Sequence, residues 1–254
     1  MRILVCVKRV PAPGARINIT ADGQAIDTAF LGFTMSPHEE CAVEEAVQLV
    51  EKHGGEATVL TLGPAEADEQ LRYAASLGVA KAVLLPIDGP DWDPQRTARA
   101  ITAAVAAIEV VDGPFDLILF GNESADSGGF QVGVRVAHAL GRPMVNGIKG
   151  IEVAGASLRA RREGDGGVEV YEVTMPAVLG VKEGINLPRY PTLKGRLASK
   201  KVDVARVAPV GDAGGQQLVT LVAPPVQASA TVKLGEGPAA AAAVVDLLDE
   251  LGVL

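Results

Sequence analysis

The stretch FDLILFGNESADSGGFQVGVRVAHALGRP, residues 115–143, contains one complete strand, turn and helix of an alternating fold. Its first six residues form an almost wholly apolar run, which predicts a strand buried on both faces. A turn rich in Gly and Ser follows, and residues 127–140 then show a helical pattern. Gly141 and Pro143 stand just beyond, as is typical of a helix end. Such a unit builds sheets whose parallel strands are connected by helices.

The same alternation extends from this stretch back to the N-terminus. Three more buried strands are predicted from short apolar runs, at residues 2–7, 57–62 and 82–85. Helices are predicted from apolar side chains at helical spacing, in residues 37–53, 65–77 and 94–110. The sequence therefore predicts an α/β fold with a doubly wound, mostly parallel sheet.

The chain after residue 145 follows a different rhythm. Strand-like segments succeed one another there without helices, at residues 148–153, 157–162, 168–173 and 177–181. Gly-rich residues 164–167 are typical of a hairpin turn, so we expect an antiparallel extension of the same sheet.

Residues 202–254 are expected to form a C-terminal arm, separate from the domain of residues 1–201. Residues 202–237 have strand-like pieces, many small side chains and no clear core, so we expect them to lie against something else. An Ala-rich helix is predicted at residues 239–251. This helix either packs within the chain or docks on a second subunit.

Composition excludes several classes of protein. The net charge of −8 argues against generic binding of nucleic acid. No run of about 18 apolar residues predicts a membrane-spanning helix, and no leader pattern begins the chain, so a cytoplasmic location is expected. The two cysteines, Cys6 and Cys41, lie in apolar patterns that predict buried free thiols rather than a disulfide.

The residues that follow the predicted parallel strands are candidates for a ligand site, because ligands bind beyond the carboxyl ends of such strands. The candidate strand ends are Val7, Leu62 and Phe120. The glycines of residues 121–133 permit close approach of a backbone, and Asp126 or Ser127 is expected to cap the next helix. Free amides at that helix end suit a phosphate. The dinucleotide fingerprint and the GxxxxGK[ST] loop are both absent from this stretch, so neither NAD binding nor ATP hydrolysis follows.

A second helix entry is predicted at residues 36–39. Ser36 suits the N-cap, Pro37 suits the first helical position, and Glu39 completes a capping box. This structural reading accounts for the motif by itself. None of the histidines, His38, His53 and His138, has metal-ligand spacing, and no nucleophile elbow occurs, so no metal and no catalytic residue is predicted.

Residues 182–201 form a basic segment with six cations and one acid, a balance of +5 within an acidic chain. Such a patch can bind nucleic acid, an anionic membrane or an acidic protein. Pro188 and Pro191 disfavour a helix and a central strand, so a loop that presents Leu193 outward is expected. A solvated turn with Leu193 folded inward is the alternative.

Three segments together closely resemble the beta subunit of electron-transferring flavoproteins: ILVCVKRVP at residues 3–11, SPHEECAVEEAVQL at residues 36–49 and NLPRYPTLKGRLASKK at residues 186–201. The resemblance implies an adenine nucleotide alpha hydrolase-like sheet and a heterodimer with an alpha subunit that holds most of the FAD. It implies electron transfer from an acyl-CoA or similar flavoprotein dehydrogenase to a quinone oxidoreductase or equivalent acceptor. It also implies AMP in this subunit, or a second FAD instead.

The resemblance further implies which residues form the sites. The implied nucleotide cradle comprises Cys6, Ser36, Pro37, His38, Glu39, Leu62, Ser124, Ala125, Asp126, Ser127, Gly128, Gly129, Phe130 and Gln131. The implied partner contacts are Arg189, Tyr190, Leu193, Lys194 and Arg196. In the family a Leu at the position of Leu193 inserts into an apolar pocket on the dehydrogenase, and its basic neighbours would steer an acidic partner.

Some residues depart from the family pattern. Relatives have an acid-rich stretch where residues 124–128 of this chain keep only Asp126. Many relatives carry Pro-Asn where this chain has Lys194-Gly195. His38 replaces an aromatic or apolar residue near the flavin, and it either tunes the flavin potential or is a plain surface residue. Three functions stay open: a carrier with AMP, an electron-bifurcating relative that oxidises NADH with a second FAD, and a stand-alone nucleotide-binding regulatory module.

Overall fold

The computed structural model describes residues 1–212, 214–225 and 231–254. The described residues group into two compact units, Met1–Leu221 and Val222–Leu254. Residues 202–221, which we expected in the arm, therefore group with the first unit. The parts of the expected arm at residue 213 and residues 226–230 lie outside the described chain.

The strands are β1 Arg2–Val7, β2 Val10–Pro11, β3 Phe33–Thr34, β4 Glu56–Gly63, β5 Lys81–Pro86, β6 Leu117–Gly121, β7 Met144–Ala154, β8 Ser157–Gly164, β9 Gly167–Thr174, β10 Ala177–Val181 and β11 Val204–Arg206. The helices are α1 Pro37–His53, α2 Asp68–Leu77, α3 Pro94–Asp112, α4 Val132–Ala139, α5 Leu193–Ser199 and α6 Ala241–Glu250. Short 3-10 turns lie at Ala65–Ala67 and Gly237–Ala240.

Within the described residues, nine strands form one sheet in the order β11-β5-β4-β1-β6-β10-β7-β8-β9. Every neighbouring pair from β11 to β7 is parallel. Side chains of α1 and α2 share one core with one face of the sheet, and those of α3 and α4 share a second core with the other face. The predicted doubly wound fold is confirmed.

The antiparallel extension consists of β7, β8 and β9, and residues Gly164 and Gly167 pair at its predicted hairpin turn. The prediction was wrong for β10, which lies between β6 and β7 and runs parallel to both. All five of its residues are buried. Its unbroken apolar pattern is that of a central parallel strand covered on both faces.

Local signals fix the ends of α1 and α2. The side chain of Ser36 accepts a hydrogen bond from the backbone N–H of Glu39, and the Glu39 carboxylate accepts the N–H of Ser36. This reciprocal pair confirms the predicted capping box. Gly78, at a positive φ of 128°, ends α2 as predicted.

The helix predicted at residues 127–140 begins only at Val132, so Asp126 and Ser127 do not cap it. Gln131 occupies the N-cap position and makes no side-chain capping hydrogen bond. Gly128, with a φ of +59°, lies outside right-handed helical geometry, so the helix begins beyond it. Residues 122–131 are therefore a loop.

The second unit contains α6, and no residue of this helix is buried. Val244, Val245, Leu247 and Leu251 place apolar side chains on it. Pro238 stands in the first turn of the short helix that leads into α6, a position that tolerates proline. The expected Ala-rich helix is present, with bounds slightly shorter than predicted.

Candidate functional site

The candidate nucleotide site lies at the carboxyl edge of the sheet, where β1 stands between β4 and β6. The chain leaves β1 toward α1 on one face and reaches β6 through α3 on the other face. A crevice forms where the winding direction changes in this way, and ligands of doubly wound sheets bind there. The loops that follow β1, β5 and β6 border it.

Lys8 connects these three loops. Its Nζ lies 2.5 Å from Oδ2 of Asp126 and 2.9 Å from Oδ2 of Asp91. Burial opposes the charge of Lys8, but the two carboxylates outweigh it and raise the pKa of the ammonium. Burial likewise opposes the charge of Asp126, and the neighbouring Lys8 nevertheless lowers the pKa of that carboxyl.

Sequence reasoning missed Lys8 and Asp91. Both stand just beyond predicted strands at the edge where ligands bind, so strand position alone could have found them. A cavity of about 300 Å³ adjoins Asp91 and is also lined by Trp92 and Arg96. The guanidinium of Arg96 stacks 3.5 Å from the centre of the Trp92 ring, which shapes this wall.

Glu39 joins the end of β1 to the start of α1. It is 6% exposed, and its Oε1 accepts the N–H of Lys8 at 3.0 Å while Oε2 accepts the N–H of Ser36 at 3.1 Å. Burial raises the pKa of Glu39 to about 8, because it outweighs these hydrogen bonds. A Cβ added at Gly121 would lie 2.7 Å from Cγ of Glu39, so the close approach of β6 requires glycine.

His38 links the loops that follow β6 and β10. Its Nδ1 accepts the N–H of Glu183 at 2.8 Å, and its Nε2 lies 3.3 Å from Oε1 of Glu123. A neutral ring with its proton on Nε2 satisfies both contacts. The side chain is 15% exposed, so the plain surface residue that we considered does not describe it. A role beside the flavin stays a prediction.

The residues of the loop at 122–131 fit a phosphate. The uncapped start of α4 leaves its first-turn amides without helical partners, and such amides bind anions. Ser124 and Ser127 place their hydroxyls 2.8 Å apart. A Cβ added at Gly128 would meet nothing within 4 Å, so the loop is open on that side. Lys8 lies beside the loop, but Asp91 and Asp126 together neutralise its charge, so the fit to phosphate rests on the free amides.

The structure gives different surroundings to the other residues of the implied cradle. Cys6 and Leu62 pack in the core behind the crevice, and burial raises the pKa of the Cys6 thiol. Phe130 is half-exposed at the end of the loop. Ala125 is exposed, and Gln131 accepts hydrogen bonds from Arg135. The structure thus links Ser36 to the backbone of Lys8 through the Glu39 carboxyl, and the side chain of Lys8 to Asp126.

Both cysteines are buried and free, as predicted. In the described part of the chain, no group of three or more His, Cys, Asp or Glu side chains could hold a metal ion. No described helix is long and apolar enough to cross a membrane.

The basic segment forms a second candidate site. Its loop ends in a helix, α5, so the prediction of a loop throughout was wrong: both prolines precede the helix, and Thr192 caps it by accepting the N–H of Gly195 at 3.0 Å. Leu193 is 75% exposed, which rules out the inward-folded alternative. Tyr190 is also exposed.

The cations of this segment differ in their surroundings. Lys194 and Arg196 are exposed, as steering charges would be. Arg189 is instead engaged by the carboxylates of Glu44 and Glu51 on α1, so it is not free to steer a partner. Sequence reasoning missed Glu44, which is buried beneath Arg189.

Comparison with known proteins shows the family of the chain. The family model described as the electron transfer flavoprotein domain matches residues 26–211. A protein named electron transfer flavoprotein subunit beta from Syntrophomonas wolfei is 36% identical over 240 residues, 94% of this chain and 91% of the relative. Proteins of the same name from Mycobacterium tuberculosis and Bradyrhizobium diazoefficiens are 37% and 32% identical, covering 80% and 100% of this chain and 77% and 100% of their own lengths.

Proposed function

The chain belongs to the electron transfer flavoprotein family as a beta subunit, and from this premise we propose that it binds an adenine nucleotide beside Lys8 and presents α5 to a flavoprotein dehydrogenase. The first part rests on the start of α4, which has no side-chain cap and follows a glycine-containing loop. This loop contacts Lys8 through Asp126, and Lys8 also binds Asp91, so its side chain connects the three loops that border the crevice. Phosphate would bind the free amides of α4.

Membership of the family implies an alpha subunit as partner and an association with flavin. We propose that FAD is held mainly by the alpha subunit at the interface and that AMP occupies the cradle of this chain. Bound FAD supplies the electron-transfer chemistry, whereas this chain contributes binding, orientation and partner recognition. The described residues at the site need not transfer protons, and we assign none of them a catalytic role.

The surface of α5 supports the second part of the proposal. Leu193 and Leu197, one helical turn apart, are both exposed, and Lys194 and Arg196 flank them. An apolar ridge with a basic rim suits an apolar pocket with an acidic rim on another protein. We propose an acyl-CoA dehydrogenase as the donor and a quinone oxidoreductase or equivalent as the acceptor, in the cytoplasm.

The second unit supports assembly with the alpha subunit. Its helix α6 has apolar side chains that its own unit does not bury, so a partner surface would stabilise it. We propose that residues 222–254 dock on the alpha subunit. This narrows the arm that we first expected at residues 202–254.

One observation favours a second candidate function. An added Cβ at Gly128 meets no atom within 4 Å, and this open side favours as the second candidate a second FAD bound there, with NADH as the donor. Purifying the chain with its alpha subunit and extracting the bound ligands distinguishes the possibilities. One FAD with AMP supports the carrier, two FAD support the bifurcating function, and a nucleotide without flavin supports the stand-alone module and refutes the proposal.

A further inference from the structure

The helix α5 is exposed and does not hold itself in place by apolar packing. Only Ser199 among its seven residues is buried. Isolated helices shorter than about 12 residues are marginal in water. Contacts with the rest of the protein must therefore fix α5, and these contacts are polar.

Arg189 holds the chain where it approaches α5. Its Nε and Nη2 bind the two carboxylate oxygens of Glu44 at 2.9 and 3.0 Å, and its Nη1 and Nη2 bind those of Glu51 at 2.7 and 2.9 Å. The N–H of Arg189 also donates to Glu44, at 3.1 Å. A guanidinium held by two carboxylates is fixed in direction as well as in distance.

We call Arg189 with Glu44 and Glu51 the clamp, and the buried Glu44 makes it part of the folded structure. Its side chain is 3% exposed, so its charge must be satisfied inside the protein. Burial opposes that charge, but the hydrogen bonds from Arg189 outweigh it and lower the pKa of Glu44. Three residues before Arg189, the side chain of Asn186 donates to the carbonyl of Cys41 and to Glu45, both at 3.0 Å. The loop is thus fastened to α1 at two points.

The helix α2 holds the rest of α5. A Cβ added at Gly195 would overlap the carbonyl oxygen of Ser76, so the two backbones are in direct contact. Nη1 of Arg72 donates to the carbonyls of Ser199, Lys200 and Val202 at 3.0, 3.2 and 3.3 Å. Carbonyls at the end of a helix lack helical partners, so Arg72 caps α5. Both ends and the middle of α5 are fixed while its leucines face outward.

We propose that Arg189 is a positioning residue for docking: its clamp on Glu44 and Glu51 sets the place of Tyr190 and Leu193 before the partner arrives. The proposal rests on the proposed function of α5 as the dehydrogenase contact. Because two carboxylates neutralise Arg189, it contributes little to long-range attraction. A preorganised segment loses less conformational entropy on docking, so the benefit arises after encounter.

The test uses the heterodimer loaded with FAD and an acyl-CoA dehydrogenase as electron donor. Arg189→Lys keeps the charge but loses the forked geometry. We expect the KM for the carrier to rise by at least about fivefold with an unchanged limiting rate, because looser positioning weakens docking and not the chemistry. We expect the same rise at low and high ionic strength. Lys194→Gln, which removes an exposed cation, should raise KM only at low ionic strength.

Two comparisons separate positioning from general loss of stability. Arg142, in the turn between α4 and β7, binds both oxygens of Glu109 on α3 at 2.8 Å, and both side chains are largely buried, so Arg142→Lys should lower the melting temperature and leave KM unchanged. In a Leu193→Ala background, Arg189→Lys should add nothing further to KM if it acts through Leu193. Glu51→Gln, which removes only the exposed half of the clamp, gives the same readout if Arg189→Lys does not fold.

Three results would overturn the proposal. They are an unchanged KM for Arg189→Lys and Glu51→Gln, an effect that vanishes at high ionic strength, and effects of Arg189→Lys and Leu193→Ala that simply add. If Leu193→Ala itself leaves KM unchanged, α5 is not the dehydrogenase contact and the proposed function fails first. A normal effect of Leu193→Ala with an unchanged KM for Arg189→Lys refutes positioning alone.

Discussion

Replacing Leu193 by Ala should weaken docking to the dehydrogenase by about tenfold and leave the fold intact. Burying a whole Leu side chain is worth roughly 1.5 to 3 kcal/mol. Leu193 is 75% exposed in the free protein, so most of this free energy is still available when a partner pocket covers it. Removing it costs about 1 to 2 kcal/mol, or roughly 5- to 30-fold in the dissociation constant. The same exposure means that the free energy of unfolding should hardly change.

The assay follows flavin reduction in the heterodimer while the carrier concentration is varied against a fixed amount of acyl-CoA dehydrogenase. We expect a higher KM, with an unaltered flavin absorption spectrum and unaltered reduction by dithionite, since neither depends on docking. Val168→Ala is the matched control, because Val168 is an exposed aliphatic residue on β9, away from α5. Equal KM values for Leu193→Ala and the unmodified protein would show that α5 does not anchor the dehydrogenase.

Three further outcomes are expected. Ser127→Trp should fill the phosphate loop and abolish the stabilisation by AMP, which is about 3 kcal/mol at a hundredfold excess over Kd; an equal rise in melting temperature with AMP in both proteins would refute the cradle. Glu39 has a pKa raised above its ordinary 4.5 to about 8, so its contribution to stability is complete below the lower value and is lost as pH rises through the higher one. The free energy of unfolding by urea should therefore fall less with rising pH in Glu39→Gln than in the unmodified protein. Parallel pH profiles of this free energy in the two proteins would contradict the raised pKa of Glu39. Gly195→Ala should displace α5 from Ser76 and raise KM, whereas Gly166→Ala, where an added Cβ meets nothing, should not; equal KM values for the two variants would count against the contact.

Features that depend on neighbouring residues could be predicted from the sequence. The strands β1, β4 and β5 were found because each is a short apolar run buried on both faces. The start of α1 was found because Ser36 and Glu39 satisfy each other's backbone within four residues. For such elements, local pattern and tertiary structure agree.

Features that depend on distant pairings could not be predicted. Arg189 and Glu44 lie 145 positions apart, and nothing in the local sequence selects Glu44 among the acids of α1. Lys8 and Asp126 lie 118 positions apart. The late start of α4 could not be predicted, because the helical spacing of the side chains continues through the loop before it. Only the backbone, with Gly128 at positive φ, shows that this segment is not helical. In each case the structure depends on a tertiary contact or on backbone geometry, which the residue types alone do not specify.

The position of β10 bears on how the chain is made. During synthesis, β6 and β7 emerge before β10, yet each of them hydrogen-bonds to β10 in the finished sheet. Until residue 181 has left the ribosome, the nascent chain therefore exposes two strand edges that can pair wrongly with other chains. The hairpin of β8 and β9 can form earlier from adjacent residues, but it has no place in the sheet until β10 inserts. Because α5 follows β10 in the chain, the docking helix emerges only after the strand that joins β6 to β7, and the edge strand β11 emerges later still.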